Sequence, residues 1–109
     1  MAKGIFGYLR FNINENNLSG DYMNWDTEGL QIEQGSKVSG NPGEFEGSYE
    51  TTWKDTVDRQ AHLIIAPFRD NTLELTWEVT NDPDHTVRFR GRGVIRQENV
   101  LSGFYEMLP

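Results

Sequence analysis

"LELTWEV", residues 73–79, decides the fold. Leu73, Leu75, Trp77 and Val79 take every second position, and Glu74, Thr76 and Glu78 fill the gaps. A period of two sends the first set to one side of a β-strand and the second set to the other. One side suits a core and the other suits water, as in an antiparallel sheet with a solvated face. The same pattern recurs on both sides of this segment. "TVRFRGRGVIR" (86–96) sets Val87, Phe89, Gly91, Gly93 and Ile95 against Arg88, Arg90, Arg92 and Arg96. "FEGSYETTW" (45–53) sets Phe45, Gly47, Tyr49, Thr51 and Trp53 against Glu46, Ser48, Glu50 and Thr52. Helical spacing of apolar residues is missing over any long window, and only "TWKDTVDRQ" (52–60) leaves room for a short helical turn.

Between these runs lie "NENN", "NPG", "RDN", "TNDPD" and "QEN", clusters of residues that accept left-handed or preset dihedrals. They divide the chain into eight expected strands: 4–13, 17–25, 29–34, 36–40 joined across a turn to 44–53, 60–68, 72–80, 86–96 and 100–107. "NENNLSGDY" (14–22) and "QENVLSGFY" (97–105) agree at six of nine positions. Each reads as a hairpin turn followed by a strand whose inward positions are Leu, Gly and Tyr, and "FEGSY" (45–49) gives a third variant: Phe, Gly, Tyr. Mid-strand glycine permits the bending and close approach that barrel closure needs. In a closed barrel the first and last hairpins are neighbours, so similar geometry meets similar residues at both. The competing reading is coincidence among common strand and turn residues. The expected architecture is all-β, a single antiparallel up-and-down barrel of about eight strands, with residues 1–109 as one domain.

Composition bounds what such a barrel does. The chain has 109 residues, a formal charge of −7 and no cysteine. Acidity of this degree opposes nucleic acid and anionic membrane surfaces, so neither is an expected partner. Disulfides, thiol chemistry and cysteine-bound zinc are excluded. No apolar run approaches 18 residues, and "MAKGIFGYLRFN" lacks the apolar core of a signal peptide. A cytoplasmic location is the expectation.

"FEGSYETTW", "LELTWEV", "TVRFRGRGV" and "VLSGFYEM" follow one another as the strands of avidin-like proteins do: Gly-x-Tyr, a strand ending in Trp, aromatic-x-Gly, then a closing strand. Residues 44–107 thus resemble the avidin–lipocalin (calycin) group of small barrels. The first-strand Asn and Ser/Tyr set that avidins use for biotin is not found, nor is the early Gly-x-Trp of lipocalins. Biotin binding does not follow from the resemblance. Trp77 alone matches a position that usually faces the ligand in avidins.

An eight-stranded barrel is wide enough to be filled by side chains or to hold one small ligand. The inward aromatics expected from the alternation are Tyr22, Tyr49, Trp53, Trp77, Phe89 and Tyr105. Their apolar bodies and polar tips suit a small-molecule wall. A packed core, with each hydroxyl bonded to backbone near the barrel ends, is the alternative. Catalytic residues are not identified. Glu46, Glu50, Glu74 and Glu78 fall on the expected outer face, where burial does not tune a carboxyl group. His85 lies near Asp82 and Asp84 in a turn that could hold a metal weakly, but ordinary turn work is the preferred reading, as a structural role is for His62. No metal or cofactor is expected. The leading expectation is non-enzymatic binding of a small, partly apolar ligand. An isomerase or hydrolase using the same cavity, or an interaction module with a solid barrel, are the alternatives.

Two surface features complete the reading. Arg88, Arg90 and Arg92 could form an anion stripe, but cross-strand pairing with Glu74, Glu78 and Glu106 is preferred. "AHLIIAPF" (61–68) breaks the alternation, with Leu63 and Ile65 on one side and Ile64, Ala66 and Phe68 on the other. A strand apolar on both faces calls for cover on both, so a homo-oligomer touching at Ile64 and Phe68 is expected. Pro67 marks a strand end or a bulge.

Overall fold

The computed structural model describes residues 6–25, 27, 29–54, 58–84, 87–97 and 99–108. Eight strands form one closed antiparallel barrel: β1 (Phe6–Asn14), β2 (Asn17–Asn24), β3 (Gln31–Ser39), β4 (Gly47–Lys54), β5 (Asp58–Arg69), β6 (Thr72–Val79), β7 (Arg88–Gln97) and β8 (Val100–Met107). Each strand pairs with the next, and β8 closes on β1. This up-and-down architecture is consistent with a calycin-like fold. Among the described residues no helix is long and apolar enough to cross a membrane.

The helical turn considered within 52–60 does not include Trp53 and Lys54, which end β4, or Asp58 to Gln60, which begin β5; residues 55–57 lie outside the described residues. The segment 36–40 also differs from the sequence reading. It extends β3 and is separated from β4 by the loop that follows. The chain reverses at Gly40 and Gly43, whose φ values of 116° and 82° disfavour any residue with a Cβ. The run before that loop therefore stays in register with β4, apart from a bulge between Lys37 and Ser39. The Pro67 bulge is present, as a register shift between Pro67 and Arg69. Ile95, read as core-facing, is 45% exposed; it pairs with Leu101 at the last position before β7 shifts register against β8 between Ile95 and Gln97.

The repeated stretches flank β1 on its two sides. Leu18 pairs with Ile13 and Leu101 with Phe11, while Gly20 pairs with Phe11 and Gly103 with Leu9. The two hairpin turns also meet, with the Ile13 amide donating to the Asn99 carbonyl at 3.3 Å. Leu18, Leu101, Tyr49 and Tyr105 are buried and face inward from their strands, while Phe45, also buried, lies in the loop just before β4.

The interior has two ends. Where β1–β2, β5–β6 and β7–β8 turn, it is filled by Phe11, Ile13, Leu18, Leu63, Ile65, Leu73, Leu75 and Leu101. Phe45 covers this hairpin end. Lys37 ties down the covering loop, its ammonium donating to the carbonyls of Asn41 at 2.5 Å, of Glu46 at 3.3 Å and of Glu44. Aromatic and polar side chains occupy the opposite end.

On the outside, Arg90 pairs with Glu106 at 2.9 Å and Arg92 with Glu74 at 3.7 Å, and Arg88 sits opposite Glu78 in register. These cross-strand contacts account for the arginine face. Arg92 also lies 3.9 Å above the Phe68 ring, with Arg69 at 4.8 Å. Guanidinium groups thus shield part of the apolar outer face of β5, while Ile64 is 45% exposed. His62 faces outward and contacts Glu50 at 3.3 Å. His85 lies outside the described residues, and Asp82 accepts a hydrogen bond from the Val87 amide at 3.3 Å.

Candidate functional site

Five of the six expected inward aromatics meet at the end opposite the hairpins. Phe89 is edge-on to Trp53 (centroids 6.0 Å apart) and to Tyr105 (6.1 Å). Tyr105 in turn touches Tyr22 at 6.1 Å and Trp77 at 6.3 Å. Edge-to-face contacts at these separations are favourable ring arrangements. The rings come from β2, β4, β6, β7 and β8, so the cluster spans the barrel. Trp77 and Tyr105 are buried, whereas Tyr22, Trp53 and Phe89 are half-buried. Solvent therefore reaches the outer layer of rings but not the inner one.

Gly7 makes room for one polar link in this cluster. A Cβ there would come within 2.8 Å of the Tyr105 hydroxyl and 2.9 Å of Asn24 Cβ. In the space left free, Asn24 Nδ2 donates to the Tyr105 hydroxyl at 2.7 Å.

Tyr49 stands apart. It lies at the hairpin end, wholly buried, with its hydroxyl donating to the Phe45 carbonyl at 2.7 Å and the Glu44 carbonyl at 3.2 Å. Burial pushes its phenol up to about 12, which keeps it an un-ionised donor. Its polar capacity is used in closing the barrel, the packed-core alternative realised at one residue.

The residue the sequence reading missed is Glu33. It points inward from β3, is 6% exposed, and is the only buried charged side chain among the described residues. Trp77 Nε1 donates to Glu33 Oε2 at 2.8 Å, a bond that crosses the barrel from β6 to β3. On the neighbouring strand Trp53 is the direct pairing partner of Glu33. Thr51, also on β4, is buried; its hydroxyl makes no close hydrogen bond but lies near enough to Glu33 to act on it as a weak donor. Burial raises the Glu33 pKa to about 7, opposed by the Trp77 indole and, more weakly, by the nearby Thr51 hydroxyl. No cation is among these influences. Near neutral pH this carboxyl group is poised between acid and carboxylate, so it can donate or accept a proton where bulk water is excluded.

The signal for Glu33 was present but inverted. In "QIEQGSKVS" (31–39) the apolar Ile32 and Val38 are 65% and 60% exposed, and Gln31, Glu33, Gly35 and Lys37 face inward. Ile32 and Val38 are six residues apart and share a face, which puts Glu33 and Lys37 on the other. The usual assumption that apolar means inward assigns this strand backwards.

An open groove of about 390 Å³ runs along the outer wall at the same end, lined by Ile32, Gln34, Thr52, Trp53, Lys54, Asp58, Arg59 and Gln60. It shares Trp53 with the ring cluster but does not include Glu33. Among the described residues no group of three or more His, Cys, Asp or Glu side chains is arranged to hold a metal ion. No family model matches the chain, and neither a curated protein nor a solved structure matches it significantly.

Proposed function

We propose that the aromatic end of the barrel binds a small, partly apolar ligand, in the manner of a lipocalin- or avidin-like protein. The observation that carries this reading is Glu33. Burying a carboxyl group costs several kcal/mol unless it is well paired. Glu33 has one close donor, the Trp77 indole N–H, and a weaker one in the Thr51 hydroxyl. A barrel built only for stability gains nothing from such a residue, and an apolar side chain of similar size would serve better there. Perturbed carboxyl groups beside rings that solvent can reach mark sites that meet a ligand. Tyr22, Trp53, Trp77, Phe89 and Tyr105 supply its apolar wall.

The test is fluorescence titration with the neutral dye N-phenyl-1-naphthylamine. Saturable dye enhancement with concurrent quenching of tryptophan emission is expected, weakened in Trp53→Ala. Absence of saturable binding up to the solubility of the dye overturns the reading.

The same residue favours a second reading, an enzyme in which Glu33 moves a proton. A general acid–base with a pKa near the working pH transfers protons most effectively. Turnover lost in Glu33→Gln with dye binding retained distinguishes this enzyme from a binder.

We further propose that copies associate through the outer face of β5 at Ile64 and Phe68, and that the protein resides in the cytoplasm. Sedimentation as a monomer at high micromolar concentration, or an Ile64→Glu variant that sediments like the parent, contradicts the association.

A further inference from the structure

The chemistry around Glu33 narrows the class of ligand. We propose that the aromatic end selects an organic cation, a protonated amine carried on an aromatic or alkyl body. The inference rests on the ligand-binding reading above and deepens it.

Four observations converge. First, Glu33 is buried with one oxygen engaged by the Trp77 indole. An ionised carboxylate offers about four acceptor positions, and an indole fills one of them. Among the described residues, no lysine or arginine contributes to its electrostatic environment. An ammonium group would supply both the missing charge and the missing donors. Second, the buried Thr51 hydroxyl makes no close hydrogen bond and acts on Glu33 only as a weak donor. Its oxygen can accept from a second ammonium proton. Third, the rest of the site is a wall of rings, and ring faces attract cations most strongly where water is excluded. Fourth, the chain carries a net charge of −7, which draws cations toward it and repels anions.

The alternatives are disfavoured by the same groups. An anionic ligand would meet the carboxylate, and a neutral ligand would leave it buried without a counter-charge once ionised. Among the described residues, the inward-facing titratable or charged groups at this end are Tyr22 on β2, Glu33 on β3, Arg59 on β5 and Tyr105 on β8. Arg59 sits toward the rim, opposite Trp53 in register, and already has an interaction of its own. Lys37, the other inward cation, is held by loop carbonyls at the hairpin end. Binding is therefore linked to a proton. Glu33 is protonated up to about pH 7, so an ammonium must displace that proton to form its ion pair. Affinity for the cation should rise with pH and level off above neutrality.

The test compares three probes of one shape by isothermal titration calorimetry: 2-phenylethylammonium, 2-phenylethanol and 3-phenylpropanoate. At pH 8 the ammonium should bind at least ten-fold tighter than the alcohol, and the carboxylate should bind weakest. Lowering the pH to 6 should erase most of that preference, with proton release measured from the buffer dependence of the heat. In Glu33→Gln the ammonium and the alcohol should bind alike at both values. If that variant does not fold, the pH series on the parent protein carries the same test. Equal binding of ammonium and alcohol to the parent at pH 8, or a preference that survives in Glu33→Gln, overturns the cation inference. Binding of N-phenyl-1-naphthylamine in that case leaves the broader ligand reading standing. If neither the dye nor any phenyl probe binds, both fall together.

Discussion

The two ends of this barrel solve different problems with the same strands. At the hairpin end most inward residues are aliphatic, joined by Phe11, and they are buried and covered by Phe45. Its one inward phenol, Tyr49, spends its hydroxyl on main-chain carbonyls. At the other end the inward residues are aromatic and polar, three of the rings are reached by solvent, and a carboxyl group is buried beside them. The first arrangement maximises apolar burial. The second gives up stability to keep Glu33, and natural sites commonly make that exchange. The fold is secured at one end, which leaves the other free to carry chemistry.

The largest expected effect breaks the secure end. Leu75→Ala removes a wholly buried side chain, and deletions of this kind cost about 2–5 kcal/mol. Chemical denaturation should register that loss, while dye affinity measured under folding conditions stays unchanged.

Glu33→Gln should act in the opposite direction. The folded pKa of Glu33 is about 7, against an ordinary value of 4.5. Below about pH 4.5 the acid is protonated in both folded and unfolded chains, and it carries no penalty. As pH rises through that window the unfolded chain gives up its proton first, so stability falls, and the loss is complete above about pH 7. A shift of this size corresponds to about 3 kcal/mol. The variant should match the parent near pH 4 and exceed it at pH 8, by up to that amount. Identical pH–stability profiles for parent and variant would remove the contrast between the two ends.

Trp77→Phe keeps most of the apolar volume and deletes the indole N–H that Glu33 accepts. Leaving a buried acceptor without its donor costs about 1–3 kcal/mol. The loss should grow above pH 7, where Glu33 is ionised, and dye affinity should fall with it. Thermal melts at pH 5 and pH 8 check both the magnitude and its dependence on pH. Smallest of all is Arg90→Ala. Its pair with Glu106 is half-exposed on both sides, and such pairs contribute below about 1 kcal/mol. Neither melting temperature nor dye affinity should move appreciably.

The secure end was readable from sequence because it follows the rule that reading uses. Leu73 and Leu75 alternate with Glu74 and Thr76, and the repeated Leu–Gly pairs identify the strands on both sides of β1. The ring cluster was legible for the same reason, since aromatics on alternating positions fall on the core face whatever they do there. Tyr49 was grouped with those rings because alternation gives the face of a strand and not the height along the barrel. Tyr49 and Trp77 share one register row through Leu63, and the strand tilt that barrel closure requires sets such a row at different heights. Glu33 was hidden because β3 reverses the rule, with Ile32 and Val38 outside and a carboxyl group inside. A residue that lowers stability leaves no hydrophobic trace, so local pattern does not find it.

The most direct test of this division is the location of a bound probe. Two-dimensional NMR of the protein titrated with 2-naphthol, neutral at pH 7, reports each end separately. Saturable shifts are expected at Glu33, Trp53, Trp77, Phe89 and Tyr105, with Ile13, Leu18, Leu73 and Leu101 unmoved. Shifts confined to the outer groove at Ile32, Gln34 and Thr52, or no saturable shifts at millimolar 2-naphthol, would contradict that division.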